Sequence, residues 1–186
     1  MKPKLYMIII GCKPDGRLTE QHDIFFGAGN SMKELIPQMK AFWPEAKGKI
    51  HIDAWREVSA VDGFRIEVVP KENATPSSQK LFFINLGGYK ENEFEEYHYK
   101  VLAVGENLAE ASKKSKQTAF YKHFSFSKAA ISHIDDKYGL DIDDAYPVVD
   151  ILSDAFHQQY ALSIAKQEIP FEDELHIGYL RIEKIV

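Results

Sequence analysis

Lys4-Leu5-Tyr6-Met7-Ile8-Ile9-Ile10-Gly11 returns 76 residues later as Lys80-Leu81-Phe82-Phe83-Ile84-Asn85-Leu86-Gly87, and this repetition decides the fold. An ungapped match of residues 4–34 on 80–110 carries Lys4, Leu5, Ile8, Gly11, Glu20, His22, Gly29 and Glu34 onto Lys80, Leu81, Ile84, Gly87, Glu96, His98, Gly105 and Glu110. Self-similarity at a fixed period marks a repeated structural unit. Further on the register resumes at an offset of 82, with His51-Ile52-Asp53 on His133-Ile134-Asp135 and Asp62 on Asp144. The chain therefore reads as two divergent copies of one unit, residues 4–70 and 80–167, joined by a linker at 71–79 and followed by a C-terminal strand at 174–186.

Each copy reads as ββαββ. The near-continuous apolar runs Leu5–Ile10 and Leu81–Leu86 suit strands buried on both faces. The stretches that follow, Gly11 to Gly16 and Gly87 to Asn92, are rich in turn formers and lead into second strands at His22–Ala28 and Tyr97–Val104. Ser31-x-x-Glu34 and Asn107-x-x-Glu110 have the form of capping boxes, so a helix opens at each, the first one weakened or kinked by Pro37. A third strand over Ile50–Val58 turns at Ser59–Gly63 into Phe64–Val68. In the second copy the fourth strand is expected at Tyr160–Lys166, which leaves an insertion at about 141–156, acidic at first and helical around Val148–Phe156. The fold class expected is α+β, with an antiparallel or mixed sheet, packed helices and a pseudo-twofold axis relating the copies.

Composition narrows the function classes. With 45% hydrophobic residues and 12% aromatics the chain has ample material for a core, and a formal charge of −5 disfavours nucleic acid or an anionic membrane as partner. No apolar run reaches the roughly 18 residues that span a bilayer. The lone Cys12 forms no internal disulfide, which points to a reducing, cytoplasmic setting. Ile9-Ile10-Gly11-Cys12 looks like a lipoprotein cleavage box, yet the same apolar stretch recurs inside the chain, so it reads as a strand.

Leu81 to Tyr89, Glu96-Tyr97-His98, His51 to Trp55 and Val61 to Phe64 together resemble an uncharacterised bacterial family built from one or two copies of domain of unknown function 1543. The resemblance implies a duplication and carries no activity with it.

The residues most suggestive of chemistry are Glu20, His22, His51 and Asp53 and their counterparts Glu96, His98, His133 and Asp135. Residues two apart on a strand share a face, so each Glu-x-His and each His-Ile-Asp presents its polar pair on one side. Imidazoles and carboxylates so gathered can ligate zinc or manganese, or serve as general acid and base. Against this, a histidine beside a carboxylate on a sheet is more commonly a hydrogen-bonded structural group, and no spacing here is as specific as His-Glu-x-x-His. The expectation is accordingly a binding module for a small molecule or a protein, without catalysis, metal or other cofactor. The alternatives are a metal-assisted or acid–base enzyme that uses His22, His51, Asp53, His98, His133 and Asp135, and a structural protein that assembles into homo-oligomers.

Overall fold

The structure is a computed structural model that describes residues 2–89, 92–123, 141–167 and 171–185. The elements run β1 (Lys4–Cys12), β2 (Gln21–Gly29), α1 (Met32–Phe42), β3 (His51–Glu57), β4 (Ala60–Val61), β5 (Phe64–Pro70), β6 (Lys80–Tyr89), β7 (Glu96–Gly105), α2 (Leu108–His123), β8 (Asp141–Pro147), α3 (Asp154–Gln159), β9 (Tyr160–Lys166) and β10 (His176–Arg181). The class is α+β, and the strand pairs among the described residues are antiparallel. The chain divides into one unit of Met1–Pro76 with Leu152–Val186, and a second of Ser77–Ile151.

The first unit holds a sheet of order β10-β3-β1-β2 and another of order β4-β5-β9. Along β1, Tyr6, Ile8, Ile10 and Cys12 face one way and join Phe25 of β2, Ile52 of β3 and Leu35 and Met39 of α1 in a closed core. Burying each such side chain contributes about 1.5–3 kcal/mol. Pro37 lies within α1 without ending it. The start of α1 departs from the expected capping box. The Ser31 side chain caps nothing, and Glu34 accepts instead from the backbone N–H of Asn30 at 2.9 Å. At α2 the box is closer to form, since Asn107 Oδ1 accepts from the N–H of Glu110 at 3.0 Å.

The turn expected at Ser59–Gly63 is a two-residue hairpin loop. Asp62 and Gly63 both have positive φ, 52° and 77°, as a primed turn requires, and they join β4 to β5.

The second unit is a three-stranded sheet of order β7-β6-β8, with Ala111 of α2 in its core beside Phe82, Ile84, Leu86 and Ala103. Here three expectations are corrected. The stretch expected as an insertion begins with a strand, β8, whose Ile142 stands opposite the buried Leu86. The second unit ends at Ile151 and, among the described residues, has no fourth strand. Tyr160–Lys166 is a strand, but it pairs with β5 of the first unit over its whole length, from Phe64↔Lys166 to Pro70↔Tyr160. The cause is edge pairing: on its other side β5 has only the two-residue β4, and an apolar strand with a long open edge recruits a partner. The C-terminal segment docks as a strand on β3 of the first unit.

Candidate functional site

Gly11 is the organising residue of the first unit's polar face. On the central strand β1 it pairs with His22 of β2 on one side and with His51 of β3 on the other. Cross-strand partners share a face, and the face of Gly11 is opposite to the one that packs on α1. With no side chain between them, the two imidazoles lean towards each other over bare backbone. A methyl group at Gly11 would stand 2.6 Å from Asp53 Oδ2 and 3.0 Å from His22 Cδ2, and closer still to His51 Nε2.

Asp53 joins them through a bulge. Between Ala54, opposite Ile9, and Ile52, opposite Ile10, β3 carries one residue that β1 does not match, and that residue is Asp53. On its other side β10 carries two residues, Gly178 and Tyr179, against this same Asp53. Bulges re-aim side chains at such positions. The Tyr179 ring thereby lies on the His51 ring, centroids 4.6 Å apart, while His176 stacks on Trp55 at 3.8 Å.

The result is a cup of four donors. His22 Nε2 and His51 Nε2 each stand 3.3 Å from Asp53 Oδ2, and Glu20 reaches in from the hairpin loop, with Oε1 3.3 Å from His51 Nε2 and Oε2 3.7 Å from His22 Nε2. Glu20, His22 and His51 offer ligand atoms within 4.8 Å of one another. His51 is 8% exposed. Its Nε2 and Asp53 Oδ2 are buried and have no hydrogen-bond partner among the described residues. Hydrogen bonds of this kind cluster near 2.9 Å, and buried polar atoms without partners are rare and costly.

The second unit repeats the arrangement with other residues. Gly87 of β6 pairs with His98 of β7 and with Asp141 of β8, and the unmatched residue of β8 is Asp143. His98 Nε2 is 3.2 Å from Asp143 Oδ2, and Glu96, His98 and Asp143 bring ligand atoms within 4.8 Å. The register thus places Asp141 and Asp143, at an offset of 90, where His51 and Asp53 stand. His133 and Asp135, expected at an offset of 82, lie outside the described residues. The sequence reading places Gly11 and Gly87 in turns and Asp143 in an acidic stretch, and does not single out Tyr179. A glycine inside a strand pattern marks a close approach of other groups, and that was the available signal.

Cys12 ends β1 opposite Gln21 and is buried with the core side chains. Burial pushes its thiol up, and the Glu20 carboxylate adds to the effect. Iodoacetamide at neutral pH should therefore label Cys12 only on denaturation, and mass spectrometry that found fast labelling of the folded chain would contradict this placement. A groove of about 280 Å³ elsewhere in the first unit has a rim of charges already paired, Lys2 with Glu67 and Lys4 with Glu57. Among the described residues no helix is long and apolar enough to cross a membrane.

Fold and site together define an antiparallel α+β protein with histidine–carboxylate cups over strand glycines. Residues 17–68, which hold Glu20, His22, His51 and Asp53, match the family described as Domain of Unknown Function (DUF1543), in agreement with the resemblance carried by the sequence. The chain is also similar to a solved structure, "Crystal structure of a protein Il1583 from Idiomarina loihiensis", with a TM-score of 0.58 at 20% identity over 97% of this chain and 98% of that one. That likeness is one of fold. A comparison with curated proteins finds no match.

Proposed function

We propose that this chain is a metal-ion-binding module whose first unit holds zinc between Glu20, His22, His51 and Asp53. The reading rests on one observation: Glu20, His22 and His51 offer ligand atoms within 4.8 Å of one another, with Asp53 Oδ2 3.3 Å from both imidazoles, at separations too long for good hydrogen bonds and close to those of ligands on a shared ion. Ligands 2.0–2.1 Å from a tetrahedral zinc stand roughly 3.3–3.4 Å apart, and the separations here are 3.3, 3.3, 3.3 and 3.7 Å. An ion would also give a partner to buried His51 Nε2 and Asp53 Oδ2, which have no hydrogen-bond partner among the described residues. Asp53 and His51 form the inner side of the cup, with side chains 30% and 10% exposed, whereas Glu20 and His22 are 48% and 43% exposed and open it to solvent. Exogenous ligands would reach the ion from that open side.

An internal duplication belongs to the same proposal. It is supported by the equal registers of β1/β2 and β6/β7 and by the bulge that recurs beside both glycines. The duplicated core is then ββαβ, and among the described residues β4, β5, β9 and β10 belong to the first unit alone. The lone, buried Cys12 supports a reducing bacterial cytoplasm as its setting.

Titration of chelator-stripped protein with zinc tests the reading. The wild type should take up about one equivalent tightly in the first unit, and the His22→Ala/His51→Ala double variant should not, with circular dichroism showing that it remains folded. If the wild type fails to take zinc from a weak colorimetric chelator, the proposal is lost.

A further inference from the structure

We infer that the second unit carries its own divalent-cation site, formed by Glu96, His98 and Asp143 over Gly87, weaker than the first and open to harder ions, of which manganese(II) is the probe. Three ligand atoms converge within 4.8 Å, with His98 Nε2 3.2 Å from Asp143 Oδ2. Gly87 leaves the space they use. A methyl group there would stand 2.8 Å from Asp143 Oδ1, and closer still to Oδ2, so any side chain at this position would evict the carboxylate. The bulge that singles out Asp143 is the one that singles out Asp53 in the first unit. Two independent features of the backbone thus open the same space twice.

The donor sets differ in a direction that chemistry can read. Among the described residues the first cup has two imidazoles and the second has one, with an aspartate, Asp141, at the register position of His51. Nitrogen-rich sets favour zinc and later transition metals, whereas carboxylate and water ligands suit magnesium, calcium and manganese. All three ligands of the second cup are exposed, so water could complete the coordination of a bound ion. The Tyr89 hydroxyl donates to Glu96, which raises the phenol above its usual range and steadies that carboxylate at the rim.

The test uses the full chain with the first cup disabled, His22→Ala/His51→Ala, and follows free manganese(II) by electron paramagnetic resonance. We expect about one bound ion per chain, displaced by added magnesium less readily than manganese held by scattered surface carboxylates. Adding Asp143→Asn or Gly87→Ala should weaken binding by about tenfold or more. If the double variant is unfolded, Gly87→Ala in the otherwise wild-type chain answers the same question: it should lose the weaker manganese site and keep zinc uptake by the first unit. Binding indifferent to both Asp143→Asn and Gly87→Ala overturns the inference, as does an unchanged free-manganese signal. Either result leaves the zinc reading of the first unit standing, and failure of zinc uptake alone leaves this one standing.

Discussion

Gly11→Ala should remove zinc binding from the first unit while every ligand is still present. The added methyl would overlap His51 Nε2 and Asp53 Oδ2 together. Asp53 is able to swing outwards, but His51 is held between the sheet and the Tyr179 ring and has little room to yield. Displacing a single supporting contact at a metal site typically costs 10–100-fold in affinity, so disturbing two ligands at once should cost on the order of 100-fold or more. Overpacking beside a buried ring should also lower stability by about 1–3 kcal/mol. Competition with a chelator of known affinity measures the first effect and urea unfolding the second. Wild-type zinc affinity in Gly11→Ala would show that the histidines do not meet over this glycine.

The other large effect is expected outside the cup, at Asp173. Its side chain is 3% exposed and accepts from Ser59 N at 3.1 Å, from Ser59 Oγ at 2.6 Å and from Arg56 Nη2. These contacts tie the segment before β10 to the corner where β3 ends and β4 begins. Asp173→Ala would leave the Arg56 guanidinium, only 23% exposed, without its counter-charge, and Arg56 Nε already has no partner among the described residues. Removing one member of a buried ion pair costs about 3–5 kcal/mol, and because Arg56 keeps some contact with solvent the lower end, about 3 kcal/mol, applies. For a chain of this size that corresponds to a fall of about 6–12 °C in Tm. Asp173→Asn, which keeps the acceptor but not the charge, should recover part of the loss. A calorimetric scan in which Asp173→Ala melts within about a degree of the wild type would mean that the corner holds without this carboxylate.

Most of the strands and both longer helices are legible in residue order, because their signals are local. Alternation, apolar runs, turn formers at Ser59–Gly63 and an acceptor ahead of each helix act over a few residues. So Tyr160–Lys166 is recognisable as a strand to the residue. Its partner is not. Seven apolar-leaning residues pair equally well with any open edge, and only the short β4 beside β5 determines that β9 closes the first unit.

The third strand of the second unit shows the same limit differently. Ile134-Asp135 and Ile142-Asp143 repeat Ile52-Asp53 equally well, and His133 tips a reading by residue identity towards the former. What decides is the ladder beside β6, where Ile142 must face Leu86 to bury its side chain, a condition that exists only once the sheet is assembled.

For the candidate site, residue order was enough to gather Glu20, His22, His51 and Asp53 as polar groups on strand faces, since a period of two is a property of each strand alone. Whether those faces meet depended on strand order. The placement of β1 between β2 and β3 puts Gly11 between the two histidines, and the paired bulges turn Asp53 inward and lay Tyr179 on His51. The separations of 3.3 Å that suit a metal ion arise across three strands. Proximity of this kind is created by the sheet, in which residues some 40 positions apart along the chain become neighbours a few ångströms apart.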